Sequence, residues 1–150
     1  MRIVIQRVTE ASVSIESEVH AAINHGLLVL VGIESNDTQE DIDWLVKKTL
    51  TLRIFNDNQG KMNLSLNEVH GEILVVSQFT LFASCKKGTR PSFVRSANPQ
   101  KAIPLYENFI KSLRAQANTP IKTGVFGADM KVKLTNDGPV TILLDSKNKE

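Results

Sequence analysis

The run Ile73-Leu74-Val75-Val76 is short, unbroken and rich in β-branched side chains, with Gly71 just ahead of it. Apolar residues in sequence, rather than in alternation, predict a strand covered on both faces, at the middle of a sheet. Directly after it stand Ser77, Gln78 and Thr80, three polar side chains set among Phe79, Leu81 and Phe82. Burying an unpartnered hydroxyl or amide costs about 1–3 kcal/mol, so a chain building only a core gains nothing from them. Two readings follow. Either the strand ends here and its polar groups bond the backbone, or backbone N–H groups and small polar side chains face a ligand.

The rest of the chain reads as one strand-rich α/β domain over residues 1–150, a mixed or antiparallel sheet or partial barrel covered by two helices. Ile3 to Val8 predicts a strand, Ala11, Val13 and Ile15 an alternating second one, and Val19 to Ile23 a weaker third. Asn24-His25-Gly26 predicts a turn into another doubly buried strand, Leu27 to Ile33. A first helix is expected from Asn36-Asp37-Thr38, capped by Asp37 with Glu40 or Thr38 with Asp41. Its apolar face is Ile42, Leu45, Val46, Thr49 and Leu50, with Trp44 at the rim. A short strand is expected at 52–55 and a loop over 62–70. The second helix has Asn98 as N-cap and Pro99 at its first position, buries Ala102, Leu105, Tyr106, Phe109, Ile110 and Leu113, and ends before Thr119-Pro120. Residues 121–127 read as irregular. Val132 and Leu134 on one side of Asn136-Asp137-Gly138-Pro139, answered by Val140, Ile142 and Leu144, predict a hairpin, and residues 146–150 a frayed tail.

Composition narrows the function. A hydrophobic content of 41% over 150 residues suits one real core, and a net charge of +2 is too small to mark a nucleic-acid binder by itself. The lone Cys85 allows no internal disulfide. Charge interrupts the N-terminal apolar run after five residues, and no run approaches the ~20 residues that span a bilayer; a cytoplasmic protein without a membrane segment is expected. No Walker loop, no G-x-G-x-x-G and no metal-ligand set occurs, so no cofactor and no metal are expected. The distribution of charge is more telling. Between Ala83 and Arg95 stand Lys86, Lys87, Arg90 and Arg95 with no acid. This is a solvated loop or a phosphate clamp, and its place beside the polar strand end fits the clamp.

Taken together, Ser77-Gln78-Phe79-Thr80-Leu81-Phe82 and Asn136-Asp137-Gly138-Pro139-Val140-Thr141 resemble the Ser-Gln-Phe-Thr and Asn-x-Gly-Pro-x-Thr motifs of D-aminoacyl-tRNA deacylases. The opening Met1 to Val8, the loop Lys87 to Phe93 and the length agree, so the resemblance spans essentially the whole chain. It implies hydrolysis of the ester between a D-amino acid, or glycine, and the terminal ribose of tRNA, with L-aminoacyl esters refused. It implies a homodimer in which a cis Gly-Pro bond reaches into the partner's site. Gly138 and Pro139 would be the chirality filter, and Arg7 and Asn136 would support it. Residue statistics alone favour a trans bond, since about 5–6% of X–Pro bonds are cis. A cis peptide holds two carbonyl oxygens in parallel, a cradle for the substrate's α-ammonium, and a rigid loop then leaves an L side chain no room.

Catalysis is expected from Ser77, Gln78, Phe79 and Thr80, chiefly as Phe79 and Thr80 backbone N–H groups aimed at the oxyanion. The ribose 2′-hydroxyl would orient the attacking water, and Ser77 and Gln78 would shape the pocket. A Thr80 hydroxyl nucleophile is the alternative, without a visible base. Lys86, Lys87, Arg90 and Arg95 are expected to hold the tRNA 3′ end. Competing readings are a non-catalytic RNA-binding module and a hydrolase of small esters.

Overall fold

The computed structural model describes residues 1–150. Its spine is β1 (Arg2–Ile15), one continuous strand where the pattern suggested two. Exposed Thr9 and Glu10 mark the place where its inward face changes sides rather than a break. Ile3 and Ile5 point into the main core, whereas Val8, Ala11 and Val13 point into a second, smaller one.

Along one edge of β1 run β2 (Glu18–Ile23) and then β3 (Gly26–Gly32), both antiparallel to it. Asn24-His25 is therefore a break between two collinear strands, not the reversal expected of a turn. Along the other edge β8 (Met130–Asp145) accompanies β1 from Arg2 to Ile15. Beyond β3 the sheet continues in parallel, through β6 (Glu72–Ser77) to β7 (Ile121–Thr123), so the stretch expected to be irregular holds a short strand. β2 folds back toward this far edge. The Lys122 ammonium donates to the Ala22 carbonyl at 2.7 Å, and the Asn24 amide donates to the Glu72 carboxylate at 2.7 Å. These links carry the sheet most of the way round to a barrel. A small ribbon, β4 (Phe55–Asn56) with β5 (Met62–Leu64), stands apart and replaces the strand expected at 52–55 and part of the loop at 62–70.

α1 (Gln39–Thr51) and α2 (Pro99–Gln116) cover one face. Their apolar stripes, Ile42, Leu45, Val46 and Leu50 with Ala102, Tyr106, Phe109, Ile110 and Leu113, meet Ile3, Ile5, Val29, Val31, Ile73 and Val75. β6 is buried at four successive positions because Ile73 and Val75 serve this core while Leu74 and Val76 serve the other. Asn98 caps α2, accepting from the Lys101 amide at 3.0 Å. At α1 the Thr38–Asp41 pairing forms, with the Thr38 amide donating to the Asp41 carboxylate at 2.8 Å.

Asp41 also corrects the expectation of a frayed tail at 146–150. The Ser146 hydroxyl donates to it at 2.6 Å and the Lys147 ammonium at 2.8 Å, while the Ser146 amide donates to the Met1 carbonyl at 2.9 Å. A polar tail is held because a buried carboxylate needs donors. Burial pushes the Asp41 carboxyl up, but Lys147, Ser146 and the Thr38 amide outweigh it and hold the group well below the usual carboxylate range. At neighbouring Asp37 burial prevails and raises the carboxyl, against the Met1 α-ammonium and the Glu34 amide.

Candidate functional site

β6 stops where its sequence turns polar. The Gln78 amide donates to the Val31 carbonyl at 2.7 Å, and Phe79–Phe82 coil into one 3₁₀ turn lying over the end of β3. Gly32 makes this docking possible: a Cβ there would stand 3.0 Å from Leu81 Cβ and 3.1 Å from the Gln78 carbonyl oxygen. In the turn the Leu81 amide donates to the Gln78 carbonyl and the Ala83 amide to that of Thr80. The Phe79 and Thr80 amides precede the first of these bonds, as the leading N–H groups of any helical turn do. The Ser96 hydroxyl, donating to the Phe79 carbonyl at 2.8 Å, pins the turn from outside.

The turn borders an open groove of about 310 Å³. Ser77, Gln78 and Phe79 form one wall, Val31, Ile33, Val76 and Ala102 the floor, and the segment from Phe126 to Met130, with Val132, the far side. Phe126 is set by Tyr106, whose ring lies 5.6 Å away and whose hydroxyl donates to the Val75 carbonyl at 3.2 Å. Burial raises the Tyr106 phenol well above its ordinary value, so it stays a neutral donor. One carboxylate lines the groove, Asp129, and Lys131 holds it at 2.7 and 2.8 Å. The Gln78 side-chain amide donates to the Thr80 hydroxyl, and no carboxylate or imidazole reaches that oxygen. A hydroxyl so placed has no base to deprotonate it, whereas the two amides need none. Neither Phe126 nor Ser96 was singled out in sequence; a lone aromatic beside Gly127 and a serine with a main-chain partner leave no pattern.

The basic loop forms a flap. Backbone hydrogen bonds join Ser84 to Ser92 in both directions, at 2.8 and 2.9 Å, and Lys86, Lys87 and Arg90 project from it, exposed and without an ion pair. Arg95 differs from the expectation. Its guanidinium turns back to Glu34 at 3.2 Å and lies 5.3 Å from the Phe82 ring, because the nearest anion outcompetes solvent for a planar fork.

Arg7, Asn136, Gly138 and Pro139 gather elsewhere. β8 makes no hairpin at Asn136–Pro139. Gln6 pairs with Thr141 and Val8 with Asn136, so Asp137 to Val140 bulge out opposite the single residue Arg7 and the strand then resumes. Asn136 clips the base of the bulge: its carbonyl accepts from the Val140 amide at 2.8 Å and its amide donates to the Val140 carbonyl at 3.2 Å and the Thr141 hydroxyl at 3.1 Å. This clip turns a hairpin signal into a loop on a continuous strand. Gly138 has φ +128°, and a Cβ there would lie 2.9 Å from Arg7 Nη2. The Gly138–Pro139 peptide bond is cis, and both residues are exposed. Beneath them Arg7, 4% exposed, donates through Nε to the Asp137 carbonyl at 3.1 Å and through Nη1 to the Ile54 carbonyl at 2.6 Å, and pairs with the Asp137 carboxylate at 3.1 Å.

The two clusters do not meet within one chain. Ser77 stands beside Val31 near the end of β3, and Arg7 beside Leu27 near its start, with β1 and β3 between β8 and β6. None of Arg7, Asn136, Gly138 and Pro139 lines the groove beside Ser77.

A family model described as D-Tyr-tRNA(Tyr) deacylase matches residues 4–145. The chain is 61% identical over 150 residues to the D-aminoacyl-tRNA deacylase of Flavobacterium johnsoniae, covering 100% of both chains. To that of Cytophaga hutchinsonii it is 63% identical over 147 residues, 98% of each. Among solved structures, one titled c-Myc DNA Unwinding Element Binding Protein aligns with TM-score 0.92 and 44% identity, covering 97% of this chain and 98% of that one. Another, titled as a probable eukaryotic D-amino acid tRNA deacylase, shares the fold at TM-score 0.81 and 18% identity, over 95% and 97% of the two chains.

Proposed function

Because the chain belongs to the D-Tyr-tRNA(Tyr) deacylase family, we propose that it hydrolyses the ester between a D-amino acid and the terminal ribose of tRNA, and that it refuses the L-form. The observation that carries the catalytic half is the 3₁₀ turn docked at Gly32, which sets Phe79 on the wall of an apolar groove and leaves the Thr80 hydroxyl without a base. Aminoacyl esters are activated acyl donors, so stabilising the oxyanion is the main requirement. Backbone donors at Phe79 and Thr80 contribute roughly 10²–10³ in rate each. Water attacks the carbonyl carbon, helped by the ribose 2′-hydroxyl, and the C–O bond to the ribose breaks with a proton going to the departing oxygen. Ser77 and Gln78 shape the wall against which the ester lies.

The filter is the Gly138-Pro139 loop of a second copy of the chain. Two observations support this. The loop is exposed yet braced from below by buried Arg7 and clipped by Asn136, and it does not line its own chain's groove. Gly138 and Pro139 have no ladder partner on β1, which leaves their carbonyl oxygens to the substrate ammonium. With ammonium and ester both held, an L side chain collides with the loop and a D side chain points away. Glycine, with no side chain to exclude, is accepted as well. Lys86, Lys87 and Arg90 hold phosphates of the 3′ strand. The enzyme works in the cytoplasm as a homodimer and needs no cofactor.

The test is hydrolysis of matched D- and L-aminoacyl-tRNA by the purified protein. Release of the D-amino acid with the L-ester intact is expected, and equal release of both sinks the filter. Two observations favour a second reading, nucleic-acid binding without hydrolysis: three exposed cations lack partners, and a neighbour of 44% identity carries a DNA-binding title. That reading requires salt-dependent tRNA binding with no D-ester cleavage above background.

A further inference from the structure

Phe79 does more than donate an amide. Its ring is 56% exposed, although it sits on a short turn pinned at both ends. It packs edge-on against Phe93, with centroids 5.0 Å apart at 70°, and Val94 beside Phe93 is 90% exposed. Nothing else in the chain covers this patch, yet it is built rather than loose. The Ser84–Ser92 backbone bonds fix the flap next to Phe93, and the Ser96 hydroxyl ties the Phe79 carbonyl to the far end of the same segment. Phe79 also lines the groove, so the patch continues the site outward. The flap that closes beside Phe93 carries Lys86, Lys87 and Arg90, unpaired, on a segment from Ala83 to Arg95 that has no acid.

Exposed aromatic faces beside uncompensated cations are what single-stranded nucleic acid binds: bases stack on the rings while phosphates meet the charges. An apolar protein partner gains nothing from three unpaired cations at its edge. We propose that Phe79, Phe93 and Val94 form a stacking platform for the unpaired nucleotides that precede the esterified terminal adenosine of the substrate. The inference rests on the deacylase reading above. It adds a subsite outside the ester pocket and a substrate requirement, an unpaired 3′ strand rather than an aminoacyl nucleoside alone.

Three D-tyrosyl esters test it, carried by adenosine, by the trinucleotide cytidylyl-cytidylyl-adenosine, and by whole tRNA. Wild-type kcat/KM is expected to be about tenfold higher for the trinucleotide than for adenosine, at the low end of what stacking one base on an aromatic ring supplies. That ratio should fall toward one in Phe93→Ala and return in Phe93→Tyr. Val94→Asp, at a site too exposed to matter for folding, should lower it as well by repelling the strand. Raising the salt should weaken the further advantage of whole tRNA but leave most of the trinucleotide ratio. Equal kcat/KM for the two small esters in wild type overturns the platform, as does a tenfold ratio that survives Phe93→Ala. A Val94→Asp protein with an altered oligomeric state and an unchanged ratio also overturns it, making the patch an interface between copies. Failure to cleave any of the three D-esters is a different result, and refutes the deacylase reading itself.

Discussion

A guanidinium that is 4% exposed must find all its partners inside the protein, and Arg7 finds them in the Asp137 carbonyl and carboxylate, the Ile54 carbonyl and the Asn56 side-chain oxygen. Replacing it by leucine keeps the packing and removes the brace. Stability should fall by about 2 kcal/mol, the scale of a hydrogen-bonded charge whose acceptors are left behind, as read by urea denaturation. The D-over-L ratio should fall further than the D-ester rate does. Gly138→Ala places a Cβ against Arg7 at a φ that L-residues rarely adopt, so D-ester hydrolysis should drop at least about tenfold. Thr80→Val tests the other motif. It keeps the amide and removes only a hydroxyl whose side-chain partner is Gln78, so most of the activity should survive; loss of about 10³-fold or more would restore the hydroxyl as nucleophile. At this scale the sequence was legible where a polar run breaks an apolar strand, as Ser77-Gln78 does at the end of β6. It was silent where a partner is a main-chain carbonyl, which is why Ile54 beneath Arg7 and Phe79 beneath Ser96 could not be foreseen.

Periodicity located α1, α2, β3 and β6 closely, because each is specified by its own apolar pattern and caps. Where an element is decided by a neighbour, local reading failed. β8 runs through a Gly-Pro signal because β1 supplies a ladder on both sides of the bulge, and Ile121–Thr123 is a strand because β6 offers an open edge. The helix caps give checkable magnitudes. Asn98→Ala removes the side-chain acceptor at α2 and should cost about 1 kcal/mol. At α1, Asp41 has a folded-state carboxyl held below its unfolded value, so its contribution is present above about pH 4 and is lost as pH falls below that. The stability gap between wild type and Asp41→Asn should therefore be widest at pH 7, already smaller at pH 3 and still closing at lower pH. A gap that stays constant across that range would mean the Ser146 and Lys147 contacts do not stabilise the charged form.

On the scale of the whole molecule, the turn at Phe79–Phe82 borders a groove that the Gly138-Pro139 loop of the same chain does not line. No pattern along the chain reports which strands separate its two motifs; strand order does, once β8, β1, β3 and β6 are seen side by side. In the proposed two-fold dimer this geometry would be completed twice, each copy giving its loop to the other. Lengthening the loop by one residue should then admit L-substrates without touching the turn that hydrolyses them. The most direct measurement mixes two damaged proteins, one with the Gly138-Pro139 loop deleted and one with Gly32→Val, which blocks the docking of the turn. Separately each should lack D-selective hydrolysis. Refolded together, half of the dimers carry one intact site of two, so about a quarter of wild-type D-selective activity should return. A mixture no more active than its components would contradict the shared site.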